Sequence, residues 1–267
     1  SLNSIILLTN FIIVPGITYG SQLALGAIGV TLIYGVLRFA NFAYGDLMAF
    51  GTMVVILMTW YLQSKGISFG LLPTALLALP IGILLTIAVS LFFDKTVFEY
   101  YRNKKSNPVT FIVVSLGIMF VLNAVVRIII GPNDINFMDG HKFIMKAREF
   151  KQLTGLNEGL AIKSTQVITL VTTIITCSIL FYFLNKTKTG KSMRAYSNNE
   201  DLALLSGIDP KKIVLITWVI VSILATVAGT LYGLDKSFKP FTYFNNLLPN
   251  FAATIVGGIG NPLGAFY

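Results

Sequence analysis

Apolar runs of membrane-spanning length alternate with short polar connections along this chain, at 5–37, 47–62, 71–93, 109–130, 166–184 and 213–234. A shorter run begins at Leu247 and breaks after Gly258. A helix needs roughly 20 apolar residues to cross the hydrocarbon core of a bilayer, and several of these windows reach that length without a charge. The pattern predicts an all-α integral membrane protein, a bundle of about seven to eight transmembrane helices with broken helices and the last span missing. It forms one transmembrane domain over 1–267.

Four interruptions shape the bundle. Pro15-Gly16 gives the long first block a place to bend or begin, and Gly16, Gly20, Gly26 and Gly29 put small residues on helical faces, where neighbouring helices approach closely. The stretch 38–46 (RFANFAYGD) is polar and too short for a domain; it reads either as irregular backbone at membrane depth or as a tight interfacial turn with Arg38 and Asp46 among the headgroups. A second break falls at 257–264, and the chain stops three residues later, as if a span were cut short. The Gly-bounded segments 45–51 and 260–266 are either corresponding interrupted helices of two structural repeats or two unrelated turns.

The most polar insertion is 185–212 (NKTKTGKSMRAYSNNEDLALLSGIDPKK), between two spans and so outside the bilayer. Ser197 followed by Glu200 is a capping-box pattern that starts a short helix, and Gly207 stops it. Leu202, Leu205 and Ile208 give that helix a narrow apolar stripe, while Asp209 and Pro210 cap the next span. A capped helix joined to a span and showing one apolar stripe suits a docking element for a partner; a plain solvated connection is the alternative. Gly190-Lys191-Ser192 imitates the end of a nucleotide-binding P-loop, but that motif needs a Gly where Asn185 stands, so the chain itself binds no ATP.

Composition supports the membrane reading: 55% of residues are hydrophobic and 12% charged, with a mean hydropathy of +0.77. The net charge of +9 falls in the gaps between spans, which fits membrane topology and not nucleic acid. Basic residues near the central insertion number 11 (38, 95, 102, 104, 105, 186, 188, 191, 194, 211, 212) against 9 on the other side (65, 127, 142, 146, 148, 151, 163, 236, 239). That excess makes 185–212 a cytoplasmic loop and 131–164 a periplasmic one, partly ordered on the membrane surface. Cys177 lies alone in a span and His141 alone in a loop, so neither disulfide nor metal site is expected. The start, with no basic residue before 5–14, reads as a retained span and not a signal peptide.

Three segments resemble one family, the LivH-type permease subunits of ABC importers for branched-chain amino acids. They are 29–35 running into 41–46, the loop from Gly190 through Met193-Arg194-Ala195 to Asn199 and Gly207-Ile208, and Gly257-Gly258-Ile259-Gly260 with Pro262-Leu263-Gly264. The resemblance implies a permease in the inner (plasma) membrane that pairs with a second, similar permease. Two cytoplasmic ATPases and a periplasmic solute-binding protein complete the assembly, with no cofactor. The central loop would be the ATPase-coupling element through Gly190, Arg194, Ala195, Asn199, Glu200 and Gly207. Asn41, Tyr44, Gly45, Asp46, Gly257, Gly258 and Gly260 would lie on the translocation pathway. Tyr44 stands where the family leads one to expect histidine, which removes the ground for a titratable role there.

On this reading the chain performs no bond chemistry and moves branched-chain amino acids by ATP-driven alternating access. Related importers for urea, short amides or sugars remain alternatives, because substrate choice rests with the binding protein. An ATP-independent carrier would need intramembrane ionisable residues, and only Asp46 and Arg127 approach that description. A membrane enzyme would need a catalytic constellation, and there is no His cluster, GxSxG elbow or paired intramembrane carboxylate.

Overall fold

The computed structural model describes residues 2–267, which are helical almost throughout. Helices α1 (Leu2–Leu37), α2 (Tyr44–Ser64), α3 (Ala75–Asn103) and α4 (Pro108–Ile130) precede a loop domain. That loop holds a two-stranded antiparallel sheet, β1 (Phe143–Met145) with β2 (Ile162–Lys163), and helix α5 (Ala147–Thr154). Then follow α6 (Ser164–Lys186), α7 (Lys188–Asn198), α8 (Glu200–Leu205), α9 (Pro210–Lys236), α10 (Pro240–Gly257) and α11 (Pro262–Phe266). Among the described residues six helices, α1 to α4, α6 and α9, are long and apolar enough to cross a membrane. The seventh apolar segment folds as α10, starting at Pro240 and not at Leu247, but Asn245, Asn246, Pro249 and Asn250 dilute its hydropathy.

Pro15 does not begin the span, which runs on from Leu2, but it lies in the first turn of the regular α-helix Val14–Leu37 within it. A π-helical turn at Thr9–Ile13 precedes it. The wider turn absorbs the backbone bond that a proline cannot donate and the ring's clash with the carbonyl four residues back. Gly16 and Gly20 have open space beside them, so they bring no helix close, whereas Gly26 and Gly29 do.

Helix α9 is the buried axis of the bundle, packed on α1, α2 and α3. Small and hydroxylated residues let it approach: a Cβ on Gly229 would lie 2.8 Å from the Met48 carbonyl oxygen, and one on Gly51 2.7 Å from Thr226 Oγ1. Several buried hydroxyls are satisfied by donating one turn back, Thr52 to Met48 O (2.8 Å), Thr226 to Ser222 O (2.9 Å) and Thr217 to Ile213 O (2.8 Å), whereas that of Thr230 has no partner. Ser222 also bonds Ser90 Oγ across helices at 2.8 Å. The outward faces carry exposed Leu84, Phe120, Ile174 and Ile179, as a lipid-facing surface requires.

The loop 131–164 is more ordered than expected. Asn10 of α1 grips it through Nδ2 to Gly159 O (2.6 Å) and Oδ1 from Ala161 N (3.0 Å). Asp139 accepts from Thr74 N at 2.6 Å, from the Thr74 hydroxyl and from Gln63 Nε2 at 3.0 Å. Partial burial works to raise the Asp139 carboxyl, and these bonds outweigh it, holding the group below its ordinary range.

Inside 185–212 there are two helices, not one. Ser197 lies within α7, and the cap of α8 is Asn199, whose side chain accepts from Leu202 N at 3.0 Å. The stop at Gly207 has φ +80, with Ile208 N bonded to Ala203 O (3.2 Å) and Gly207 N to Leu204 O (3.0 Å). This is the 6→1 and 5→2 pair of a Schellman ending. Asp209 caps α9 by accepting from Lys211 N at 3.0 Å, with Pro210 in the first turn.

Candidate functional site

The first break carries the chain back among the helices. Arg38 closes α1 in the left-handed conformation, φ 62, its N–H on Tyr34 O at 3.0 Å. Residues 39–43 then run along α4. The Phe39 ring lies 5.2 Å from both Phe98 and Phe111, Phe42 N donates to Ser115 Oγ at 3.2 Å, and Asp46 Oδ1 accepts from Asn123 Nδ2 at 2.9 Å. From Phe111 to Asn123 is about 18 Å of helix, so α2 begins inside the bundle. Asn41 Oδ1 caps the turn by accepting from Ala43 N at 2.9 Å.

Asn41, Tyr44, Gly45 and Asp46 are all buried, Asp46 at 1% exposure, so its carboxylate is not among headgroups. Gly29 leaves the space that the Tyr44 hydroxyl occupies, which any Cβ would fill. A Cβ at Gly26 would sit 2.6 Å from Asn250 Oδ1. Gln22, Gly26 and Gly29 share one face of α1. Along it lie buried polar atoms without hydrogen-bond partners: both Gln22 amide atoms, Asn250 Oδ1 and the Tyr44 hydroxyl.

The second break is open. After Gly257, Gly258 and Gly260 take φ +92 and +85, and both are exposed. Gly260 N donates to Thr31 Oγ1 at 2.9 Å, and Asn261 caps α11 by accepting from Gly264 N at 3.2 Å. Gly257 and Gly264 press backbone on backbone. A cavity of about 550 Å³ lies between this break, Thr31 and Gly35 of α1, and Arg194, Ala195 and Ser197 of α7. Arg38 bridges the same parts by donating to Ser197 O. Arg194, Ala195 and Gly260 are thus brought together.

Glu200 lies elsewhere, in a cleft of about 490 Å³ with Asp94, Glu99, Arg102, Tyr196 and Lys211. Arg102 forks onto Asp94 at 2.6 and 2.9 Å, and Trp218 Nε1 donates to the same carboxylate at 2.8 Å. Tyr196 donates to Glu200 at 2.7 Å, tying α7 to α8. Burial, that bond and the Glu200 charge push the Tyr196 hydroxyl up against the pull of Arg102 and Arg38, so it stays protonated and donates. Gly190 sits under the α6–α7 turn against Phe183 O, with no room for a side chain, and Gly207 is exposed at the end of α8. Leu202 (61% exposed), Leu204 and Leu205 (86%) face away from the bundle, while Ala203 is the packed position and Ile208 is half-buried. No metal-binding group of side chains occurs among the described residues.

Sequence reasoning missed Gln22, Asn123 and Asn250. The available signal was an amide inside an apolar run, where an unpaired polar group is expensive enough to suggest a purpose.

Comparison with known proteins agrees with this architecture. Residues 12–267 match the family model described as branched-chain amino acid transport system / permease component. The permease protein LivH of a high-affinity branched-chain amino acid transport system in Escherichia coli K12 is 27% identical over 255 residues, 94% of this chain and 79% of the relative. BraD of Pseudomonas aeruginosa is 27% identical over 263 residues, 95% and 80% of the two chains. A probable LivH of Methanocaldococcus jannaschii is 29% identical over 255 residues, 93% and 74%. No solved structure matches. With its six apolar helices the chain is a multi-pass protein of the inner membrane, and it belongs to the family of permease components of branched-chain amino acid transport systems.

Proposed function

We propose that the chain is the permease subunit of an ATP-driven ABC importer that moves branched-chain amino acids, or closely related small polar solutes, by alternating access. It pairs with a second homologous permease, takes substrate from a periplasmic solute-binding protein and is driven by two cytoplasmic ATPases. In this arrangement 185–212 faces the cytoplasm and 131–164 the periplasm.

The observation that carries the reading is α8. Its Leu202, Leu204 and Leu205 are exposed on a helix outside the spans, and its two ends are fixed by the Asn199 cap and the Schellman turn into α9. An apolar patch on a rigid projection suits insertion into a partner's groove. The Arg38 contact to Ser197 and the cavity with Gly260 give a pushed loop a path to both breaks. Substrate choice then rests chiefly with the binding protein.

The test is a mild-detergent purification of the protein from its own cells with identification of the chains that come with it. An ATPase is expected with the wild type and is expected to be lost with Leu205→Asp, and weakened with Arg194→Glu or Glu200→Lys. A wild-type preparation free of ATPase, under conditions that preserve other such complexes, would rule the proposal out.

A further inference from the structure

Asp46 is held at one oxygen only. Oδ1 accepts from Asn123, while Oδ2 is buried with no hydrogen-bond partner. One turn further along the same face of α4, Arg127 has Nε and Nη2 buried and equally without partners. The Phe241 ring of α10 covers the guanidinium, its centroid 3.4 Å from the central carbon. Stacking occupies the face of the guanidinium and leaves its edge, and Nε with Nη2 form the side-on fork that accepts a carboxylate through two parallel bonds. Arg127 lies within electrostatic reach of Asp46, yet among the described residues no ion pair joins them.

A buried ion pair that served only to hold α2 against α4 would bring the charges into contact and satisfy both. Here a buried carboxylate oxygen and two buried nitrogens of the half-buried Arg127 guanidinium all lack partners, an arrangement with a high penalty until something fills it. A purely anionic or cationic solute would satisfy one of them. A zwitterion satisfies both, its ammonium on Asp46 Oδ2 and its carboxylate on the Arg127 fork. Arg127 is close to the end of α4 at Ile130, and Phe241, in the first turn of α10, is 60% exposed. Both belong to the membrane side opposite the central loop.

We infer that Asp46, Asn123 and Arg127, under Phe241, form a receiving site for the head group of an α-amino acid on the side opposite the central loop. Asp46 and Arg127 are the binding residues, Asn123 positions Asp46, and Phe241 is the cover that moves aside. This rests on the amino-acid importer reading and adds to it that the permease itself recognises the zwitterion after release from the binding protein.

The test uses membrane vesicles containing the complete transporter and the arginine reagent phenylglyoxal, with labelling of Arg127 followed by mass spectrometry. Three probes are compared: L-leucine, leucinamide, which lacks the carboxylate, and 4-methylpentanoate, which lacks the ammonium group. Leucine should slow Arg127 labelling roughly tenfold or more, and each analogue less than about twofold, as expected for loss of one charge-assisted contact. Asp46→Asn should abolish leucine protection whatever it does to the unliganded labelling rate; leucine protection that survives this substitution overturns the site. Leucine uptake by vesicles in which leucine gives no protection, equal protection by all three probes, or an Arg127 that resists the reagent in every condition overturns the site alone. Vesicles that take up neither leucine nor any other branched-chain amino acid overturn the amino-acid importer reading, and the site with it.

Discussion

The two breaks in the bundle are built in opposite ways. Between α1 and α2 the irregular backbone is sunk among helices: Asn41 and Ser115 satisfy its amides, Phe39 packs in a three-ring cluster with Phe98 and Phe111, and its one left-handed residue is Arg38. Between α10 and α11 the turn is exposed and depends on Gly258 and Gly260 at positive φ, with Thr31 and the Asn261 cap as its anchors. Irregular backbone in a membrane protein must be satisfied by protein or line a polar space, and this chain uses the first solution at one break and the second at the other. A break fixed by side chains holds its shape, while one that depends on glycine freedom bends at little cost. The contrast predicts a first break that stays fixed and a second that bends beside the central loop.

The largest effect that would test this contrast is at Gly29. Gly29→Val drives a side chain into Tyr44 in a core with no slack, and should destabilise by about 3 kcal/mol, read as a fall in the thermal unfolding midpoint of the full chain in detergent. Adding Tyr44→Leu should recover part of the loss; no recovery would mean that the contact is not what fixes the first break. Asn41→Ala comes next. It strips the Ala43 amide of its buried partner and should cost about 1–2 kcal/mol, with faster hydrogen exchange confined to 38–46. The smallest effect is expected from Gly260→Ala, at about 1 kcal/mol, because open space surrounds the position and only the positive φ resists. A loss as large as that of Asn41→Ala would show that both breaks are equally rigid.

What could be read from the chain was the chemistry that acts locally. The apolar runs, the Gly207 stop and the Asp209-Pro210 start depend on neighbours in sequence, and the helices end and begin there. Ser197 and Asn199 were both competent caps two residues apart, and α7 running on to Asn198 decided for the second. Gly16, Gly20, Gly26 and Gly29 look alike in sequence, but only the last two face Asn250 and Tyr44, which arrive from α10 and α2. For the same reason Gln22, Asn123 and Asn250 offered only the general signal of an amide inside an apolar run, with nothing to name the partners they meet. Their surroundings are decided by elements distant along the chain, as the separation of 77 between Asn123 and Asp46 illustrates.

The Trp218 bond to Asp94 also gives the protein a built-in optical reporter. There are two tryptophans: Trp60 is exposed on the outer face of α2, while Trp218 is buried, its indole N–H on a carboxylate shared with Arg102 and its ring 5.6 Å from Phe98. An indole excited state is sensitive to a charge beside its nitrogen, so the emission of Trp218 is coupled to the junction where α3 and α9 flank Tyr196 and Glu200. With Trp60 replaced by Phe, the unlabelled chain carries a single tryptophan at the base of the central loop, and a motion of that loop that disturbs the Asp94 junction becomes visible as a change of its emission colour or lifetime without attaching a dye.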